Sequence, residues 1–205
     1  MNRNKNVRKG GNTKDLPFFE VVNKRVSVRE YRSDPVQPEH LKQILEAARR
    51  APNAGNQQAW RFLVVQDPDT LDKFREVSWR RRKSWLLEQG YEAAPDEELR
   101  EHYRKILGAP LLILVLVDKT VRWKGYHEKD GALAAGHIML AARALGYGSV
   151  MLTGTVSEDV CREFFEVPDR YSINCTIPIG FPDSWPPKRS RKPLKKLIFY
   201  QKIPT

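Results

Sequence analysis

Residues 130–154 read DGALAAGHIMLAARALGYGSVMLTG. The stretch to Leu145 is the most apolar helical run of the chain, and many of its residues are small. Gly146 suits its C-cap, where a left-handed residue costs glycine nothing. Residues 149–152 then predict a strand. The pair Gly146 and Gly148 is not a dinucleotide fingerprint, because the helix precedes it and the third glycine is missing.

Upstream, Leu41, Ile44, Leu45 and Ala48 sit at i, i+3, i+4 and i+7 and predict a helix over 39–51, which Pro52 ends. Phe18, Phe19, Val21 and Val22 start a shorter one. Residues 61–66 (RFLVVQ) and 111–117 (LLILVLV) predict strands, the second apolar enough to be central. Downstream, 157–165 predict a helix with Ser157 as N-cap, and 174–179 another strand. Helices alternate with strands and nothing repeats. The expected class is α/β or α+β, with one sheet covered by helices. The charged segment 69–107, poor in apolar residues, is expected on the surface or over a site, and ends in a helix running to Leu107.

The 205 residues suit one domain, 17–200. The formal charge is +11, and its placement matters more than its size. Residues 1–16 hold five basic side chains and one acidic, and residues 188–205 hold seven basic and none acidic. These ends account for the whole excess, so the body is neutral. The first end is expected to be a disordered basic tail and the second a basic arm. Cys161 and Cys175 give no disulfide framework and no metal spacing. His40, His102, His127 and His137 show no zinc-ligand pattern, so no metal is expected. No apolar run spans a bilayer, and the polar N-terminus lacks a secretory core, so a soluble cytoplasmic protein with no membrane partner is expected.

Four stretches could carry chemistry. Arg25, Ser27 and Arg29 alternate, so an extended chain puts all three on one side, as a phosphate would require. They could equally be surface residues of an edge strand. Residues 51–60 (APNAGNQQAW) hold four amides in six positions, and amides can match a ring edge that alternates N–H and C=O. A plain Asn-Gly turn explains Asn53 and Gly55 but not Gln57, Gln58 and Trp60. Residues 188–194 (KRSRKPL) read as a basic tail or as a second phosphate contact. In 146–155, Gly154 could let backbone approach a flat ring. No acyl-transfer or ATP-hydrolysing motif occurs.

Taken together, KRVSVREY (24–31), APNAGNQQAW (51–60), GYGSVMLTG (146–154) and IPIGFP followed by KRSRKPL resemble the nitroreductase family of FMN-dependent oxidoreductases, over about residues 18–200. Ala59 and Val26 depart from its usual Pro and Arg. The resemblance implies an α+β fold, an α/β sandwich with a mixed sheet flanked by helices, and a homodimer holding FMN at the subunit interface. A domain-swapped C-terminal strand, here 197–200, would cross to the partner. Arg25, Val26, Ser27 and Arg29 would then bind the cofactor, with Arg189 and Arg191 completing a phosphate clamp. Pro52, Asn53 and Ala54 would reach the ring from the other subunit, with Asn56 and Gln58 as further contacts. Met151, Leu152, Thr153 and Gly154 would line the ring. The flavin carries the chemistry, so no catalytic side chain is assigned.

The implied reaction passes hydride from NADH or NADPH to a small-molecule electron acceptor, with 69–107 as a lid. Trp79, Trp85, Tyr91 and Tyr103 could stack on that acceptor, and Arg80, Arg81, Arg82 and Lys83 could meet an anion. Rival readings within the superfamily are a deiodinase-like or a flavin-fragmenting enzyme. The deiodinase lid pattern Glu-x-x-x-Tyr is absent, since Leu87 and Leu99 precede Tyr91 and Tyr103 by four. Nucleic acid binding through the basic ends leaves the amide loop unexplained.

Overall fold

The computed structural model describes residues 17–203. The expected disordered tail therefore lies outside the described residues. Six α-helices and four strands follow in the order α1 (Phe18–Lys24), α2 (Pro38–Arg49), β1 (Trp60–Val65), α3 (Pro68–Glu88), α4 (Asp96–Ile106), β2 (Leu111–Asp118), α5 (His127–Ala144), β3 (Gly148–Ser149), α6 (Glu158–Phe164) and β4 (Tyr171–Gly180).

The strands form one sheet in the order β1-β2-β4-β3, every pair antiparallel. Among the described residues the parallel pairing is confined to an isolated bridge between Ser27 and Ser149. The expected mixed character reduces to that bridge.

β2 explains its own composition. All eight residues are buried, because both faces of the strand are covered. Leu111, Ile113 and Val115 pack with Ile44 and Ala48 of α2 and Ala135, Ile138 and Ala142 of α5. Leu112, Leu114 and Leu116 face the other way, toward Phe74 and Trp79 of α3, Tyr103 of α4 and Cys161 of α6. The α+β class is borne out, as two helical layers around one sheet.

Several boundaries differ from the expected ones. α5 begins at His127 rather than Asp130. The strand expected over 149–152 is two residues long, with a single bridge from Leu152 to Thr176 beyond it. Ser157 stands at the α6 N-cap, yet its side chain bonds no backbone N–H there. Residues 197–200 are not a strand: a short 3₁₀ turn, Leu194–Lys196, precedes them, and all four are exposed. The segment pairs with neither edge strand of its own sheet, β1 or β3.

Segment 69–107 is helical, and it is less superficial than its charge suggests. Leu71, Phe74, Trp79, Tyr103 and Ile106 are all buried in the core. Trp79 and Tyr103 therefore cannot stack on an acceptor. Trp85 and Tyr91 are exposed and stack on each other.

Candidate functional site

The segment after α1 is extended. Val28 points inward, 1% exposed, and the Val28 N–H donates to the Ser149 carbonyl at 3.1 Å. Gly148 makes this approach possible, since a Cβ there would stand 2.6 Å from the Val28 side chain. The Tyr31 hydroxyl donates to the Val28 carbonyl at 2.6 Å, and burial pushes that phenol's pKa up. Val28 and Tyr31 thus pin the segment to the sheet. Arg25, Val26, Ser27 and Arg29 are left facing away from it.

That side opens into a cleft of about 850 Å³. Arg25, Val26, Ser27 and Arg29 line one wall, and Pro187, Lys188, Arg189 and Arg191 line the other. Two basic stretches some 160 positions apart in the chain therefore meet. Among the described residues, no carboxylate pairs with Arg25, Arg29, Arg189 or Arg191. Glu30 also lines the cleft, but Lys105 lies 3.8 Å from its carboxylate. Four guanidiniums gathered without counter-charge repel one another, and an anion relieves that. The donors and the volume suit the phosphate end of a nucleotide such as FMN.

Residues 151–154 leave this wall through the Ser27–Ser149 bridge. Leu152 turns its side chain into the core, and both its backbone groups bond Thr176, at 2.9 and 3.0 Å. It has nothing left for a ring. Met151 is half-buried, and Thr153 and Gly154 are exposed. Among the described residues, the N–H groups of Thr153 and Gly154 donate to no carbonyl. A Cβ at Gly154 would meet nothing within 4 Å, so its own chain does not demand glycine.

The amide loop does not reach the cleft: Pro52, Asn53, Ala54, Asn56 and Gln58 are absent from its lining. Much of the loop's polarity serves the loop itself. Asn53 Oδ1 accepts from the Gln58 N–H at 2.8 Å, and Gln58 Nε2 donates to the Asn56 carbonyl at 3.4 Å. Gly55, Asn56 and Gln58 all take positive φ. At Gly55 a Cβ would also run into the Trp123 indole.

Asp130 holds this shape, and sequence reasoning missed it. It is 3% exposed. Its carboxylate accepts from the Ala54 N–H at 3.0 Å and from Gln57 Nε2 at 2.9 Å. Gln57 Oε1 in turn accepts from the Trp123 N–H at 3.0 Å. The available signal was an acid directly before the run of small and apolar residues in α5.

Among the described residues, no group of three or more His, Cys, Asp or Glu is placed to hold a metal, and no helix is long and apolar enough to cross a membrane. Burial pushes the thiols of Cys161 and Cys175 up to about 12, so neither is a thiolate at neutral pH.

Residues 22–181 match the nitroreductase family. An iodotyrosine deiodinase of Thermotoga neapolitana is 30% identical over 177 residues, 85% of this chain and 93% of that protein. A NADH dehydrogenase of Thermus thermophilus is 27% identical, over 87% of this chain and 93% of that protein. Among solved structures, an oxidised iodotyrosine deiodinase bound to FMN and 3-iodo-L-tyrosine superposes with a TM-score of 0.74 at 27% identity, covering 91% of this chain and all of that one. The family match starts at Val22, where the cleft starts, and runs through every strand of the sheet behind it. The chain belongs to the nitroreductase family of flavin oxidoreductases.

Proposed function

We propose that this protein binds FMN and passes hydride from NADH or NADPH, by way of the flavin, to an oxidised small-molecule acceptor such as a nitroaromatic, quinone or enone. The observation that carries the reading is the cleft in which Arg25, Ser27 and Arg29 meet Arg189 and Arg191, none of these arginines paired with a carboxylate among the described residues. When bound, the flavin supplies the two-electron chemistry. The chain's own work is to bind and orient. The guanidiniums hold the phosphate, Val26 lines the same cleft, and Met151 would offer apolar contact to the ring. The free N–H groups of Thr153 and Gly154 offer fixed dipoles to charge that develops on a ring. A ping-pong order follows, because one exposed ring face would serve donor and acceptor in turn.

The amide loop joins this reading only through a second chain. In a homodimer, Pro52, Asn53, Ala54 and Asn56 would meet the partner's cofactor. Gln58 contributes more weakly, since its amide already bonds Asn56. The exposed 197–200 arm would find its sheet edge on that partner. Leu152 is withdrawn from the contacts, because its side chain is in the core and its backbone is bonded to Thr176.

A second reading, reductive deiodination of an iodinated tyrosine, is favoured by the deiodinase relatives. Against it, Tyr103 is buried with its hydroxyl bonded to Thr155, and Tyr91 is stacked on Trp85.

Purified protein should be yellow and should bleach anaerobically with NAD(P)H, then regain colour with a nitroaromatic. Colour restored only by 3-iodo-L-tyrosine would favour the second reading. A colourless protein that neither takes up FMN nor oxidises NAD(P)H would sink both. Arg25→Ala with Arg191→Ala should lose FMN while keeping the circular dichroism of the folded chain. Wild-type FMN affinity in that pair would remove the cleft from the cofactor site.

A further inference from the structure

Four consecutive cations, Arg80, Arg81, Arg82 and Lys83, sit on α3. The structure separates them. Arg80 pairs with Glu76 at 3.2 Å, and Arg81 with Asp159 at 2.9 Å and Glu88 at 3.2 Å. Lys83 pairs with Asp96. Among the described residues, Arg82 has no carboxylate partner. Its guanidinium instead lies over the exposed Trp85 ring, 4.5 Å from the centroid, and Trp85 stacks on Tyr91 at 6.3 Å. An aromatic face orients an arginine without consuming its N–H donors in the ring plane.

The position matters as much as the vacancy. Two links tie this part of α3 and its neighbour α4 to the loop that begins at Thr153. Arg81 reaches Asp159 at the start of α6, and the Tyr103 hydroxyl donates to the Thr155 carbonyl at 2.5 Å. Trp79, one turn before Arg82, is buried in the same core cluster as Leu152 and Val156. The charge of Arg82 acts on the Tyr103 phenol, opposing the burial that pushes it up to about 12. Arg82 is thus linked through Tyr103 to Thr155, in the loop that holds the free N–H groups, and is presented on an aromatic platform.

We propose that Arg82 is an anion-selecting residue: it favours reactants that bring a carboxylate, sulfonate or phosphate to the flavin loop. This rests on the flavin oxidoreductase reading. The same chemistry could come from two sources, an anionic acceptor or the extra phosphate of NADPH.

The test uses the FMN-loaded protein and compares kcat/KM for 4-nitrobenzoate against neutral 4-nitrobenzyl alcohol, with NADH as donor. NADPH is then compared with NADH on the neutral acceptor. In Arg82→Ala the anionic-to-neutral acceptor ratio should fall about tenfold, the scale of one charge-assisted hydrogen bond. Arg82→Glu should lower it further, and Arg82→Lys should keep part of it. A fall confined to the NADPH-to-NADH ratio supports the same role with the donor's phosphate as the anion. Both ratios unchanged in Arg82→Ala and Arg82→Glu overturn the proposal while the oxidoreductase reading stands. Absence of wild-type turnover with every pair overturns that reading and the proposal with it.

Discussion

Asp130 shows how one side chain can set a loop. Buried carboxylates are costly unless hydrogen-bonded, and this one receives two donors from the loop it faces. Three residues of that loop hold positive φ, two of them without glycine's freedom. The hydrogen bonds of Asp130 offset that strain. Asp130→Ala would leave the Ala54 N–H and the Gln57 amide without their acceptor, at about 1–3 kcal/mol. Asp130→Asn keeps an oxygen for Ala54 and should cost less. Urea midpoints of the two variants check the ranking. Equal and negligible shifts would mean that the loop is held from elsewhere, with Trp123 against Gly55 the next candidate.

At the scale of elements, β2 is anchored at its far end by Asp118. Its carboxylate accepts from the Thr120 N–H at 2.9 Å, the Thr120 hydroxyl at 2.6 Å and Arg170 at 2.8 Å. The Thr120 hydroxyl first, and then the Thr120 N–H and Arg170, hold its pKa below the ordinary carboxylate value against burial. The unfolded chain therefore takes up this proton at higher pH than the folded one does. The stabilisation is present above about pH 4 and is lost as pH falls through the folded-state value. Asp118→Asn should cost about 1–2 kcal/mol at pH 7 and progressively less below pH 4. A pH-independent difference in unfolding free energy would show that the charge contributes nothing.

β2 was also the element most legible in sequence, because a strand covered on both faces must be apolar throughout. α3 was the least legible, whereas the helix running to Leu107 could be read. A helix needs only one apolar stripe, and Leu71, Phe74, Ser78 and Trp79 supply it at helical spacing inside a segment whose overall composition is charged. The site divided in the same way. The alternation of Arg25, Ser27 and Arg29 is local and could be read directly. Their meeting with Arg189 and Arg191 is a long-range contact, which only the resemblance suggested. Asp130, Gln57 and Trp123 act through tertiary hydrogen bonds, which no spacing rule reports.

For the whole molecule, the neutral body and basic ends have different standing. Part of the C-terminal charge lines the cleft, while the N-terminal charge lies outside the described residues. What the single chain leaves uncovered is apolar: Phe18 and Phe19 on α1, Leu133 on α5, and Phe199 and Tyr200 on the arm, at 45% to 77% exposure. Exposed aromatics of this number on one domain point to a partner surface. Gly136 lies on the α5 face, and a Cβ there would meet nothing within 4 Å of its own chain. In an isolated chain Gly136→Arg should therefore stabilise the helix by roughly 0.5–1 kcal/mol. In a dimer closed across that face, the same side chain would fall between the subunits. Sedimentation should then show Gly136→Arg as a folded monomer that retains little FMN, because the amide loop would no longer reach a partner's cofactor. A Gly136→Arg protein that stays dimeric and yellow would move the interface away from α5 and leave the amide loop without its proposed role.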